Sequence, residues 1–272
     1  NSDNNYRLFG IGVIQRGGEP SVSTSENLNI RSIGIYFRDV RYLPKMLVHS
    51  LLVVEILIKM SVFALKIKPT VIHCHDTPVL PLGVFVKLLT GARLIYDAHE
   101  LESNKNGLSK TLGKLTLFVE KLLWRFIDRL IVVSPSIQKW YANNVGKKKS
   151  EVILNSPLLK KQENNYNSLY LREKFSIPDE SKIFLYIGIF EEGRGIGLIT
   201  EAFKNNKLKS HLVFLGYGVM KEKLLALSKE NNNIHIHDAV PHEEVVPIAK
   251  SADVGLAMIE NLSLSDYYCL PN

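Results

Sequence analysis

Cysteine is nearly missing from this 272-residue chain. Only Cys74 and Cys269 are present. They lie far apart in sequence, which excludes a disulfide-stapled scaffold and fits a reducing, cytoplasmic setting. An uninterrupted apolar run is also missing. The nearest candidate, LVHSLLVVEILIKMSVFAL at 47–65, is broken by Glu55 and Lys59, whereas a membrane span needs about 20 apolar residues with few charges. Those two charges sit at the i,i+4 ion-pair spacing of a helix, so the stretch reads as a long, mostly buried helix. The polar start NSDNNYRLFG shows no signal peptide. Neither short repeats nor low-complexity tracts occur. What remains, at 46% hydrophobic and 22% charged residues, is an ordinary globular composition with room for two modest domains or one large one.

Charge is present and lopsided. The net charge is +7, and residues 1–157 hold 21 Lys/Arg against 12 Asp/Glu, while residues 158–272 hold 13 against 15. A basic first half suits an anionic partner such as a membrane surface, a nucleic acid or a phosphorylated substrate. It equally suits a solvated surface of high pI.

Strand-like and helix-like runs alternate along the first half. RLFGIGVI (7–14) and RSIGIYF (31–37) read as strands, 43–66 as a helix ended near Pro69, and TVIHCH (70–75) as a strand. A helix over 78–91 stops at Gly91, and ARLIYD (92–97) is a strand. Residues 108–128 form a long helix, and RLIVVS (129–134) is a strand whose Ser134 caps a helix opened by Pro135. SEVILNSP (150–157) closes the half. The Asn-rich segment 155–170 reads as a linker between domains 1–157 and 158–272. The second half repeats the alternation: strands at 182–188, 210–215, 233–237 and 253–258, and helices at 195–205, 219–230 and 242–250. Such alternation predicts two tandem Rossmann-like α/β domains with parallel sheets covered by helices on both faces. Ligands of such sheets sit beyond the carboxyl ends of the strands.

The stretch YIGIFEEGRGIG (186–197) stands at one such end. It fails the dinucleotide pattern G-x-G-x-x-G, because Leu198 replaces the third glycine. It also fails the P-loop pattern, since Arg194 and Gly195 follow Gly193 where Lys and Ser/Thr belong. The underlying physics survives both failures. Glycine lets backbone approach a ligand, a helix start near Gly195 presents free amides, and Arg194 adds a cation suited to phosphate. A tight turn with a solvent-facing Arg is the plainer alternative. LVFLGYGVMKEKL (212–224) repeats strand, Gly216-Tyr-Gly218 and helix.

Three segments in this order, YIGIFEEGRGIGLITEAF, LVFLGYG and EEVVPIAKSADVGLAMIE, resemble the nucleotide-binding half of retaining GT-B glycosyltransferases of family 4. KPTVIHCHD, GARLIYDAHE and RLIVVSPSIQKWY are similar to that family's acceptor half. The resemblance implies a metal-independent transfer of a hexose from a UDP- or GDP-sugar to a glycan or lipid-linked acceptor in cell-surface polysaccharide synthesis. It implies that Gly188, Arg194, Gly195, Gly216, Gly218, Val240, Glu260, Tyr268, Leu270, Pro271 and Asn272 line the donor site, and that His99 faces the donor sugar. His75, Asp76 and Glu100 fall on the acceptor side. Where many members carry Arg after the first glycine this chain has Ile189, and Arg194 stands where a Lys is usual. The family's first paired Glu falls near Tyr268, and the second falls beyond Asn272. The first strand and glycine loop expected before residue 7 are also missing, so the second domain is expected to be incomplete and the chain a fragment.

No Asp-x-Asp occurs, so stabilisation of a leaving diphosphate falls to cations and backbone amides. No cofactor is expected; the nucleotide-sugar is substrate. His73 and His75 share a strand face, as two metal ligands would. No Cys/His/Glu group follows at a recognisable zinc spacing, so no metal is expected. IHIHD (234–238) has the same alternation and is assigned to an exposed strand face. Lys110, Lys114, Lys121 and Arg125 on helix 108–128, with Lys147–Lys149, form a basic face suited to anionic lipid or simply to solvent. The rivals are a GT-B sugar-nucleotide 2-epimerase and an inactive remnant or binding domain. Nucleic-acid binding rests on charge alone and is not expected.

Overall fold

The computed structural model describes residues 6–14, 22–25, 27–40, 43–156, 167–204 and 209–270. The chain divides into two compact units. The first takes residues 1–103 and 109–153, and the second takes 104–108 and 154–272.

In the first unit, β1 (Leu8–Val13), β2 (Val22–Ser25) and β3 (Leu28–Ile33) form a sheet of order β1-β3-β2, with β1 parallel and β2 antiparallel to β3. The sequence predicts a strand over 31–37. The observed strand begins earlier and gives way to a 3-10 turn at Phe37–Asp39. The carboxylate of Glu55 explains that turn, because it accepts from the amides of Tyr36 and Phe37 at 2.8 and 2.9 Å. Glu55 belongs to α1 (Lys45–Ile67) and also pairs with Lys59 at 2.5 Å. The two charges interrupting the apolar run therefore tie the long helix to the turn after β3, with Lys59 donating to the Gly34 carbonyl at 2.8 Å. The helix is not mostly buried as expected, since Leu47, Val53, Val54, Ile58 and Val62 are exposed. No helix among the described residues is long and apolar enough to cross a membrane.

β4 (Val71–His75), β5 (Arg93–Ala98), β6 (Arg129–Val132) and β7 (Ser150–Val152) form a parallel sheet in that order. The crossovers are α2 (Leu80–Thr90), α3 (Lys110–Leu123) and α4 (Pro135–Asn144). Local chemistry sets their ends. Gly91, at φ 74°, closes α2 in the left-handed region. The hydroxyl of Ser134 accepts from the Ile137 amide at 3.2 Å, with Pro135 in the first turn. Beneath the sheet's carboxyl end, Glu120 of α3 is fully buried. It accepts from the hydroxyls of Tyr96 at 2.7 Å, Tyr141 at 2.6 Å and Thr77 at 3.2 Å. Burial raises its carboxyl above the usual carboxylate range. Burial likewise pushes the Cys74 thiol up to about 12, which makes it a packing group rather than a nucleophile.

The second unit is built on a parallel sheet of order β10-β9-β8-β11, from β8 (Lys182–Ile189), β9 (Ser210–Tyr217), β10 (Ile234–Asp238) and β11 (Val254–Leu256). Alternate residues go to opposite faces. Phe184, Tyr186, Leu212, Phe214 and Ile234 join Ile196, Ile199 and Phe203 of α6 (Ile196–Lys204) and Leu224 of α7 (Lys221–Glu230). Ile183, Leu185, Val213 and Leu215 join Leu171 of α5 (Tyr170–Phe175) and Ile248 of α8 (His242–Ala249). A sheet covered on both faces explains why these strands read as continuous apolar runs. Helix α5 occupies the last position of the segment read as linker and the residues after it, and α9 (Leu264–Tyr268) was not expected.

The exposed face assigned to IHIHD is a misreading. His237 is buried, with Nε2 at 2.8 Å from the Tyr170 hydroxyl. His235 stacks on Phe175 at 4.8 Å and meets His211 at 2.9 Å. Helix α5, invisible in the sequence reading, covers this face and turns it into core. Burial, with a smaller contribution from His211, lowers His235 to about 4.

Candidate functional site

Two groups of site residues lie at strand carboxyl ends, one in each unit.

In the first unit, β4 and β5 run parallel with His73 opposite Ile95 and His75 opposite Asp97. Side chains two apart on a strand share a face, so His73, His75, Asp97 and His99 gather on one side of the strand ends. Asp97 is buried. Its Oδ2 lies 2.9 Å from His73 Nε2, 3.4 Å from His75 Nδ1 and 3.4 Å from His99 Nε2. His75 Nδ1 and His99 Nε2 are 2.9 Å apart. His75 is held below its usual imidazole range, first by desolvation and then by the His73 charge. Imidazole rings with exposed edges can exchange hydrogen bonds with polar ligands.

Asp76 follows β4 directly. Its backbone sits at φ 64°, ψ 166°, a region essentially reserved for glycine and costing about 1–3 kcal/mol for other residues. The strained position is pinned twice: the Asp76 amide donates to the Asp97 carbonyl at 2.9 Å, and Asp76 Oδ1 accepts from the His99 amide at 3.2 Å. His75, Asp76 and His99 are thus one hydrogen-bonded assembly. Glu100 is the exposed next residue. Sequence reasoning left out His73 and Asp97 as site residues. The available signal was the pair of i,i+2 patterns, His-Cys-His and Asp-Ala-His, each ending a strand.

In the second unit, Gly188 pairs with Gly216, Ile189 with Tyr217, and Asp238 with Gly216 across three strand ends. The glycines at 216 and 218 have a packing reason of their own. A Cβ at Gly216 would lie 2.0 Å from the Gly188 carbonyl oxygen, and one at Gly218 would lie 2.4 Å from that of Phe190. Any side chain there would force the strand and the turn apart. Gly195, at φ 67°, begins α6 with no room for a Cβ beside Met258.

The helix start is already occupied. Glu260 Oε1 accepts from the Gly195 amide at 3.1 Å, and the Glu260 amide donates to the Gly193 carbonyl at 2.9 Å. A carboxylate of the chain therefore sits where the sequence reading puts a phosphate, as favoured at any helix N-terminus. Arg194 is paired with Glu191, with Nε and Nη2 each 3.1 Å from Oε1. Gly195, Arg194 and Glu260 are brought together, while Val240 is half-buried against the Leu171–Ile248 core. Tyr268 ends α9 and meets the Tyr267 ring edge-on at 5.2 Å. Leu270 is exposed. Pro271 and Asn272 lie outside the described residues.

The sequence pattern described as Glycosyltransferase Family 4 matches residues 12–156, more than half of the chain. Among solved structures, sucrose-phosphate synthase from Thermosynechococcus elongatus aligns with a TM-score of 0.71 at 16% identity, over 93% of this chain and 65% of its own. Anabaena HepE in complex with UDP-glucose aligns at 0.62 and 14% identity, over 85% and 60%. The lipopolysaccharide outer core galactosyltransferase WaaB in its apo form aligns at 0.53 and 14% identity, over 85% and 59%. The chain thus spans less than two thirds of the length of these structures. No curated protein matches it in sequence. At such identities the structural likeness speaks for the fold, two Rossmann-like units of GT-B type. With the pattern covering over half of its residues, the chain belongs to glycosyltransferase family 4.

Proposed function

We propose that this chain is the core of a retaining transferase that moves a hexose from a UDP- or GDP-sugar to a glycan or lipid-linked acceptor in cell-surface polysaccharide synthesis. The observation that carries the reading is the strained backbone of Asp76, maintained at a strand carboxyl end beside His75 and His99. Strain of this kind persists where the surrounding structure holds it for a purpose. The UDP-glucose and UDP complexes of the structural neighbour HepE support a nucleotide-sugar as donor.

In this reading the donor diphosphate replaces the Glu260 carboxylate at the Gly195 amide, and Arg194 exchanges Glu191 for a phosphate oxygen. The bond between the sugar's anomeric carbon and the phosphate oxygen breaks. The acceptor hydroxyl oxygen bonds to that carbon, and its proton passes to the departing phosphate. Amides and guanidinium offset the charge developing on that phosphate. His99 and His75 orient sugar hydroxyls.

A basic, apolar face supports an acceptor at an anionic membrane surface. Lys110, Lys114, Lys121 and Arg125 are exposed along α3 and the turn after it, together with Leu112, Leu115, Phe118 and Leu122. Cationic and apolar groups sharing one helical surface match an anionic bilayer interface.

Calorimetric titration with UDP, GDP and ADP, followed by product analysis with the matching sugar donor, tests the reading. One nucleotide should bind, and Arg194→Ala should weaken it at least tenfold. A 2-epimerised sugar without transfer would assign the chain to the epimerases, and no binding by any nucleotide would sink the proposal.

A further inference from the structure

The histidine cluster of the first unit has a property that substrate contact does not require. Three imidazole nitrogens converge on a single carboxylate oxygen, Asp97 Oδ2, at 2.9, 3.4 and 3.4 Å. A hydrogen-bond network would spread three donors over both oxygens. The rings are also crowded. His73 and His75 stack at 4.5 Å, and His75 and His99 lie 5.2 Å apart.

A tetrahedral zinc ion with bonds of about 2.05 Å holds its ligand atoms about 3.3 Å apart. The separations here are 2.9 Å for His73–Asp97 and 3.4 Å for His75–Asp97, and His73, His75 and Asp97 each offer a ligand atom within 4.8 Å of the other two, a group that His99 does not join. The donor set of imidazoles with one carboxylate is that of borderline transition metals and excludes the hard ions magnesium and calcium. The supports of a metal site are also present. Asp97 comes from the strand register itself, opposite His75. The exposed ring edges of His73 and His75 leave an entry path.

We propose that His73 Nε2, His75 Nδ1 and Asp97 Oδ2, with water completing the coordination, form a binding site for a zinc-class divalent cation. Each ring then keeps its proton on the other nitrogen. Every ligand lies in the first unit. An ion there takes the nitrogens otherwise offered to sugar hydroxyls, so zinc should suppress transfer while leaving nucleotide binding unchanged.

The chain itself contains a control. His211 and His235 make a similar contact, 2.9 Å with rings stacked at 10°, and among the described residues no carboxylate joins them in a metal-capable group. Chelator-stripped protein should take up one equivalent of zinc in equilibrium dialysis, and cobalt should give the intense visible absorption of a four-coordinate site. His73→Ala and His75→Gln should each weaken uptake at least tenfold, and His211→Gln should leave it unchanged. Imidazole nitrogen NMR of the wild type needs no variant: zinc should shift His73 and His75 and leave His235 in place. Absent stoichiometric uptake, uptake indifferent to His73→Ala, or shifts confined to other histidines would overturn the site.

Discussion

At Asp76 a non-glycine residue holds φ 64°, and the cost of that conformation can be separated from its use. Asp76→Gly removes the strain, worth about 1–3 kcal/mol, but loses the bond to the His99 amide, worth about 1 kcal/mol. The variant should unfold at slightly higher urea concentration, while transfer from a nucleotide-sugar falls at least tenfold. Asp76→Asn, which keeps both strain and acceptor, should leave stability unchanged. A destabilised Gly variant would show that the backbone here is not under load. Residue by residue, the sequence was informative where position alone decides. His75, Asp76 and His99 are legible as strand-end residues because apolar runs lead into them. Asp97 escaped because its partners come from the neighbouring strand, and register is not written in either segment alone. The placing of Glu260 in the donor site leaves out its local bond for the same reason: nothing in the sequence brings it back across 65 residues to Gly195.

Among the elements, α3 makes the sharpest claim. Its outer surface combines four exposed large apolar side chains with a row of cations. Lysines near an anionic membrane contribute about 1 kcal/mol each, so Lys114→Glu with Lys121→Glu should reduce sedimentation with phosphatidylglycerol vesicles at least tenfold. Raised salt should do the same to the wild type. Neutral phosphatidylcholine vesicles should bind neither protein appreciably. Equal binding of the double variant would make this surface an ordinary solvated one. The strand–helix alternation was readable because each buried strand and long crossover has enough residues to show a period. β2, α5 and α9, of four, six and five residues, are too short to show one. They form because neighbours accept them, as when Leu171 of α5 fills the core beside Ile183.

For the molecule as a whole, the two units respond differently to acid. A base whose folded pKa is lowered gives stability that is complete above its unfolded value and is lost as pH falls toward the folded one. His235, lowered from 6.5 to about 4, therefore weakens the second unit between about pH 6.5 and 4. His211 adds a loss of the same sign there, and His75 a smaller one in the first unit. Glu120 works in the opposite direction: its raised pKa means that the first unit gains as the carboxyl protonates. Calorimetric melts at pH 7 and 5 should show the transition of the second unit falling further, and His235→Phe should reduce that fall. Parallel movement of all transitions would contradict the assignment. The Glu260–Gly195 bond has one more consequence. With Glu260 on the Gly195 amide, the proposed donor would meet a tethered competitor, and its loading would be an exchange of one counter-charge for another. The strength of occupancy is then set by how readily a single side chain swings aside, which gives evolution an adjustable threshold that touches neither the glycines nor the ligand.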